Sequence, residues 1–129
     1  MIFGIGTDIV AVSRIQQGLD RYGDKFACRI LAAQEMDGFT SSVKPAHYLA
    51  KRFAAKEAAV KAMGTGFRNG IALRQIFVTH EASGKPLLEM SGRAQEVCVA
   101  LGIAERHLSL SDETDYAIAF VTLIRSFSN

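Results

Sequence analysis

The feature that most constrains this fold is an alanine-rich stretch between Pro45 and Gly64. Proline is favoured in the first turn of a helix and glycine just after its end, so the stretch predicts one helix, the main helix, over residues 46–63. Glu57 falls at helical spacing between apolar residues, which sets a carboxylate into the apolar stripe. Because most neighbouring side chains are alanine, another element can approach this helix closely.

Shorter elements surround the main helix. A Ser13–Gln16 capping box and Gly23 predict the two ends of a first helix, and the size alternation of the last strand predicts a central place in a sheet. Helices and antiparallel hairpins alternate irregularly, which favours an α+β fold, with antiparallel strands packed with helices, over a doubly wound one. The length of 129 residues predicts a single domain over residues 1–129. The predicted strands are 2–7, 74–80, 87–90, 108–110 and 116–124, and the predicted helices are 13–22, short pieces within 24–39 that stop at Gly38, 46–63 and 92–101.

Charge and cysteine content narrow the function classes. The net charge of +2 is too small to indicate nucleic-acid binding, and no apolar run approaches the ~18 residues that a membrane span needs. Residues 44–74 carry seven basic side chains against one acidic one, an excess of six positive charges. This excess indicates an anionic ligand or partner, although a solvated helix face has the same pattern. Cys28 and Cys98 form no metal or redox motif, which predicts a buried, reduced pair in a cytoplasmic protein.

Two carboxylates and a lysine are the strongest candidates for chemistry. Asp8 ends the first predicted strand, where an aspartate is commonly a turn residue but can also bind a metal. Glu57 and Lys61 lie four residues apart, a spacing typical of a surface ion pair. The alternative is that Glu57 holds a divalent cation and Lys61 neutralises a phosphate beside it. Mg²⁺ is usually held by one or two carboxylates plus substrate phosphates, and Mn²⁺ suits the same oxygen ligands.

Two weaker patterns accompany these residues. The Gly64–Gly66 loop predicts backbone N–H groups that face a ligand, although Gly64 also suits an ordinary helix stop. Arg14, Arg21 and Lys25 are spaced by seven and four residues, so they form a basic stripe along the first helix if that helix extends as far as Lys25. Such a stripe is either a solvated face or a docking surface for an acidic protein.

Four segments carry a distinctive pattern: Gly4–Val10, Arg52–Gly66, Gly84–Pro86 and His107–Ser111. The most specific parts are Gly-x-Asp in the first segment and Phe-x-x-Lys-Glu-x-x-x-Lys-Ala in the second. Over essentially the whole chain, the pattern resembles the holo-[acyl-carrier-protein] synthases, a family of bacterial 4′-phosphopantetheinyl transferases of fatty acid biosynthesis.

The resemblance implies an activity and a role for each matched residue. The activity is transfer of the phosphopantetheine arm of coenzyme A to a serine of apo acyl carrier protein, with release of adenosine 3′,5′-bisphosphate. Asp8 and Glu57 would hold Mg²⁺, Lys61 would pair with a phosphate oxygen, and Glu57 would help to deprotonate the serine, directly or through water. The implied coenzyme A-binding residues are Lys44, Arg52, Lys61, Gly64, Pro86 and His107, and the implied carrier-binding residues are Arg14, Arg21 and Lys25.

The resemblance also implies a homotrimer whose active sites lie between subunits, with no nucleic-acid or membrane partner. One residue departs from the family pattern. Many relatives have a second histidine a few residues after His107, where this chain has Asp112. The negative charge there either turns away from the nucleotide or changes how it is held.

Two other function classes fit the same residues. Two carboxylates with a lysine could serve a Mg²⁺-dependent nucleotide pyrophosphatase, which needs no acceptor protein. A non-enzymatic module could bind an acidic protein or RNA through the basic residues. RNA is disfavoured because residues 44–74 hold few aromatic side chains and no RNP or KH pattern.

Overall fold

The computed structural model describes residues 1–126. The chain alternates helices with antiparallel strands, which confirms the predicted α+β class. A short 3₁₀ turn covers Leu73–Gln75. The strands are β1 (Ile2–Ala11), β2 (Ile76–His80), β3 (Pro86–Met90), β4 (Ile103–Asp112) and β5 (Tyr116–Arg125), and the helices are α1 (Val12–Tyr22), α2 (Asp24–Ile30), α3 (Ala33–Ser41), α4 (Pro45–Met63) and α5 (Gly92–Ala100).

Helix α4 is the centre of the molecule. It packs on one face of a three-stranded antiparallel sheet of order β1-β5-β4, and β2 and β3 form a separate hairpin. The central place of β5 confirms the prediction from its size alternation. Small buried side chains line both partners, with Ala58 and Ala62 on the helix and Ala117 and Ala119 on β5. Small residues let helix and sheet lie close together, as the alanine-rich sequence predicts.

The other face of the sheet is not covered by any part of residues 1–126. Ile5, Ile9, Ile118 and Phe120 project from it and are 43–60% exposed. They share one face because side chains alternate along each strand and the register pairs Ile9 with Ile118. We call this surface the open face.

Several predicted boundaries are wrong. Strand β1 continues to Ala11, so Asp8 lies within the strand, opposite Ala119, rather than at its end. The capping box does not form, because α1 begins at Val12 and Gln16 donates to Asp20 instead.

Gly38 is another boundary error, since it lies inside α3 rather than at a helix end. A Cβ atom at this position would meet the ring of Tyr48, so the glycine serves close packing. Cys98 is buried as predicted, whereas Cys28 is exposed on α2, and both thiols are free. No helix within residues 1–126 has the length and apolar character to cross a membrane.

Candidate active site

The site begins where β1 lies directly against the backbone of α4. Gly4 and Gly6 face the helix, and a Cβ atom on either would overlap a main-chain carbonyl oxygen, that of Ala62 or of Ala58. Glycine is required at both positions because no side chain fits between strand and helix. Two residues beyond Gly6, Asp8 points to the same side of the sheet. This packing brings Asp8 next to the last turns of α4.

Asp8 and Lys61 pair across this strand–helix contact. The Nζ atom of Lys61 lies 3.1 Å from Oδ1 of Asp8 and donates to the carbonyl oxygen of Thr7 at 3.0 Å. The Asp8 side chain is 17% exposed and that of Lys61 is 53% exposed, so the pair opens to solvent on the lysine side. Helical spacing predicted Glu57 as the partner of Lys61. The structure gives it Asp8, because β1 lies within reach of the lysine.

Glu57 lies beside the Asp8–Lys61 pair, one turn before Lys61 on α4. Burial raises the pKa of Glu57 above its usual range, and the negative charge of Asp8 raises it further. The positive charges of Lys61 and Arg14 act in the opposite direction. Glu57 is therefore a half-buried carboxylate surrounded by one anion and two cations.

Two neighbouring carboxylates fit a divalent cation. The charge of Asp8 disfavours the ionised form of Glu57, and a cation bound by both side chains would offset that effect. Within residues 1–126, no group of three or more His, Cys, Asp or Glu side chains is arranged to hold a metal ion. An ion at Asp8 and Glu57 would complete its shell with water and substrate oxygens, which is common for Mg²⁺.

The loop after α4 is open, but its amides are engaged. Gly64 has a left-handed backbone with φ of 78°, and the N–H groups of Gly64, Thr65 and Gly66 all donate to the carbonyl oxygen of Val60 at 3.1–3.3 Å. The prediction that these amides face a ligand is wrong, because they close the last turn of α4. A Cβ atom built on Gly64 or Gly66 would have no other atom of residues 1–126 within 4 Å, apart from its chain neighbours. A ligand can therefore approach the backbone here.

Arg52 lies on the opposite side of α4 from Lys61. The nine residues between them correspond to about half a turn around the helix axis. The Arg52 side chain is 8% exposed, with Nε 3.4 Å from Oε2 of Glu35 and the guanidinium carbon 3.9 Å from the ring centre of Tyr48. The predicted contact of Arg52 with a nucleotide stays a prediction, and it would be made on the side of α4 away from Asp8.

The turn between β4 and β5 is held against the first turns of α4. Asp112 lies 3.6 Å from Nζ of Lys51, and Nε2 of His47 lies 3.1 Å from the carbonyl oxygen of Thr114. Lys44 precedes α4 and is exposed, and together with His47 and this turn it lines a cavity of about 440 Å³. Lys51 offsets the charge of Asp112, while the carboxylate of Glu113 lines the same cavity as Lys44.

Pro86 and His107 lie away from Asp8. Pro86 begins β3 opposite His80. Burial lowers the pKa of His80 and the positive charge of Arg52 lowers it further, which places this end of the hairpin near Arg52. His107 projects from the open face, whereas Asp8 lies on the face that α4 covers. No single face of this chain therefore gathers all the predicted coenzyme A-binding residues.

The three predicted carrier-binding residues lie on two helices. All are exposed, but α1 ends at Tyr22 and Lys25 belongs to α2, so the prediction of one stripe along the first helix is wrong for Lys25. Gly23, with φ of 62°, turns the chain between the helices. Arg14 remains beside the site, and it lines a cavity of about 300 Å³ with Ile15, Phe26, Ile30, Phe53 and Leu73.

Sequence reasoning missed two buried charges. Lys56 is 0% exposed and Glu35 is 1% exposed, and Nζ of Lys56 lies 2.7 Å from Oε1 of Glu35. Lys56 follows two alanines of the main helix and precedes Glu57, which is a weak signal of burial. Nothing in the sequence around Glu35 marks it as the partner of a lysine 21 residues later.

Comparison with known proteins decides the family. Residues 4–121 match the model of the 4′-phosphopantetheinyl transferase superfamily. The chain belongs to this superfamily. The holo-[acyl-carrier-protein] synthase of Halorhodospira halophila is 55% identical over 124 residues, which cover 96% of this chain and 98% of the relative.

Solved structures of holo-[acyl-carrier-protein] synthases have the same fold as this chain. The synthase of Neisseria meningitidis is 45% identical, with a TM-score of 0.92 over 97% of this chain and 100% of its own. That of Bacillus anthracis, in complex with CoA (3′,5′-ADP), is 36% identical, with a TM-score of 0.81 over 98% of this chain and 99% of its own. The family resemblance is confirmed, and the chain is an enzyme of the phosphopantetheinyl transferase class.

Proposed function

We propose that this transferase moves the 4′-phosphopantetheine group of coenzyme A onto a serine of apo acyl carrier protein, for fatty acid biosynthesis. The serine oxygen forms a bond to the β-phosphorus, the bond from that phosphorus to the bridging oxygen breaks, and adenosine 3′,5′-bisphosphate leaves with that oxygen. The observation that carries the proposal is the meeting of Asp8, Glu57 and Lys61 at the strand–helix contact of a chain that belongs to this superfamily.

The charges around Glu57 suit proton transfer from the serine. A general base works best when its pKa is near the working pH, and both burial and Asp8 move the pKa of Glu57 upward in that direction. Lys61 projects toward solvent and can pair with a phosphate oxygen that gains charge as the bond breaks. Arg14, next to Glu57, adds a further positive charge at the entrance to the site.

Asp8 and Glu57 would hold Mg²⁺, or Mn²⁺, which has the same preference for oxygen ligands. When bound, the ion supplies positive charge that stabilises the pyrophosphate and the leaving phosphate. Lys61 would then exchange its contact with Asp8 for one with the substrate.

The positions of the predicted coenzyme A residues support a site shared between subunits of a homotrimer. Lys61 and Gly64 lie on one side of α4, Arg52 lies on the other, and His107 lies on the open face. One nucleotide can meet all of them only if a second copy supplies some. The apolar open face, with Ile5 and Ile9, offers the surface on which such copies would meet.

Arg14, Arg21 and Lys25 would receive the carrier protein. All three are exposed basic residues, and Arg14 lies near Glu57. Such residues attract an acidic partner over distances of about a Debye length, ~8 Å at physiological salt. The free thiols of Cys28 and Cys98 are typical of a reducing compartment, which supports the cytoplasm.

An intact-mass measurement tests the function. The protein is incubated with coenzyme A, Mg²⁺ and an apo acyl carrier protein of known competence, with an EDTA control. We expect the carrier to gain one phosphopantetheine, and the gain to disappear with EDTA. Hydrolysis of coenzyme A without a change in the carrier would show a pyrophosphatase instead. A complex with the carrier and no reaction at all would show a binding module.

A further inference from the structure

A buried charge cluster on the far side of α4 has no role in the transfer chemistry described above. Glu35 is its centre: Oε1 accepts from Nζ of Lys56 at 2.7 Å and from the Ala32 amide at 3.0 Å, and Oε2 accepts from the Val78 amide at 3.0 Å. Lys56 also donates to the carbonyl oxygens of Leu73 and Ile76. These three acceptors match the three N–H groups of an ammonium group.

Arg52 adds a second cation to this cluster. Its Nε atom is 3.4 Å from Oε2 of Glu35, and within residues 1–126 it is the one buried side-chain nitrogen or oxygen without a hydrogen-bond partner. One carboxylate therefore faces two cations, which leaves one positive charge in excess. Arg52 is the cation of this cluster whose Nε lacks a hydrogen-bond partner, so an anion can bind at its guanidinium while Glu35 sets where that group lies.

The ring of Tyr48 fixes the plane of the guanidinium. The guanidinium carbon of Arg52 lies 3.9 Å from the ring centre, and the Tyr48 hydroxyl donates to the carbonyl oxygen of Glu35 at 2.7 Å. Arginine binds phosphate through paired N–H groups in a flat fork, so fixing this plane prepares it for a phosphate oxygen. The carboxylate of Glu35 is therefore its side-chain contact with Arg52, whereas the bond to the Tyr48 hydroxyl is made by the main chain of residue 35.

We propose that Glu35 is a positioning residue, which holds Arg52 so that Arg52 binds the phosphomonoester on the ribose of coenzyme A. The inference rests on the proposed function for the identity of the ligand. The pyrophosphate belongs with Lys61, on the opposite side of α4 and about 13 Å along its axis from Arg52. The ribose phosphate is the other anionic group of coenzyme A, and Arg52 of a neighbouring copy would meet it in a shared site.

Binding of two nucleotides tests the proposal without the transfer reaction. Dissociation constants for adenosine 3′,5′-bisphosphate and for adenosine 5′-monophosphate are measured by calorimetry, and their ratio reports the 3′-phosphate. We expect the wild-type protein to prefer the bisphosphate. Glu35→Gln should reduce that preference about tenfold, the value of one charge-assisted contact. Its affinity for the monophosphate should change less than about twofold.

Three matched variants separate positioning from general structure. Tyr48→Phe keeps the ring under Arg52 and should keep the preference. Arg52→Gln leaves the Glu35–Lys56 pair balanced and should give the lowest preference for the bisphosphate. Adding Glu35→Gln to Arg52→Gln should not lower that preference further. Glu35→Gln combined with Lys56→Met removes opposite charges together, so it retains the fold more readily and should lose the preference like Glu35→Gln alone.

The proposal is overturned if Glu35→Gln weakens both nucleotides equally, or if Tyr48→Phe loses the preference to the same extent. It is also overturned if the wild-type protein does not distinguish the two nucleotides. Failure of the proposed function would give a different result: the wild-type protein would not modify the carrier protein, whatever its preference between nucleotides.

Discussion

Glu57 shows how much a single residue owes to its surroundings. The same carboxylate on an exposed helix would make a weak ion pair with a lysine one turn away. Here burial and Asp8 raise its pKa while Lys61 and Arg14 lower it. These opposed influences keep the group ionisable and reactive, which is the condition that proton transfer and metal binding both need.

Glu57→Gln should abolish transfer and leave the fold intact. The amide cannot accept the serine proton and is a poor ligand for a hard cation, so we expect a loss of at least about 100-fold in the intact-mass assay. Glu96→Gln, a carboxylate exposed on α5, is the matched control and should transfer at the wild-type rate. A Glu57→Gln protein of undiminished activity would remove Glu57 from the site.

The raised pKa of Glu57 also predicts how stability depends on pH. A carboxyl group whose pKa is higher in the folded state favours folding below its unfolded value, near 4.5, and loses that contribution as the pH rises through the folded value. Glu57→Gln should therefore match the wild-type melting temperature at low pH and exceed it at neutral pH. Thermal scans across this range check the sign, and a gap that opens at low pH instead would contradict it.

More of the active site than of the buried charge cluster could be predicted from the sequence. Glu57 and Lys61 belong to one short motif and Asp8 to another, and the family resemblance covers both segments, so the three could be predicted together. Glu35 and Lys56 meet only because α3 packs on α4, and no local pattern encodes that meeting. Charges paired across elements are visible only once the elements are placed.

At the scale of elements, the contact of β1 with α4 sets the geometry of the site. Gly6→Ala would place a methyl group on the carbonyl oxygen of Ala58, so the strand must move away from the helix. We expect a loss of about 1–3 kcal/mol in the free energy of unfolding, measured by denaturant titration, together with weaker transfer.

A second substitution tests the reason for that loss. Adding Ala58→Gly should not rescue Gly6→Ala, because the overlap is with the main chain of residue 58 and not with its side chain. Rescue would mean that the methyl group of Ala58 had been the obstacle. The expected failure to rescue distinguishes backbone contact from ordinary side-chain packing.

The elements themselves were predicted with uneven success. The main helix and the central strand were found because proline, glycine and size alternation are strong local signals. The predicted first strand ends at Thr7 because Asp8 is polar. The strand continues to Ala11, since Lys61 on α4 pairs with the Asp8 carboxylate. Gly38 predicts a helix end because glycine is common there, whereas its role inside α3 is to leave room for Tyr48, ten residues later.

At the scale of the whole molecule, the open face predicts assembly. Ile9→Glu would place a charge on this face, and it should convert the proposed trimer to monomers in sedimentation and lower transfer with it. Val99→Glu is the matched control, since Val99 is similarly exposed, at 67% against 60%, but lies on α5. Equal effects of the two changes would argue against the open face as the interface.

A shared site also predicts complementation between inactive chains. Subunits that carry Glu57→Gln and subunits that carry Arg52→Gln are each defective in a different half of the site. When the two are unfolded together and refolded at equal amounts, about a quarter of the sites should contain both native halves and regain activity. If each site is built from one chain, the mixture stays as inactive as its parts.

The contact of Gly4 and Gly6 with the helix backbone also limits how this chain can change over generations. Elsewhere in the core, a substitution can be absorbed when a neighbouring side chain changes in compensation. At these two positions the neighbour is the main chain, which is the same whatever residue is substituted. A library randomised at positions 4 and 6 and selected for folding alone should therefore return glycine at both, even with activity left out of the selection.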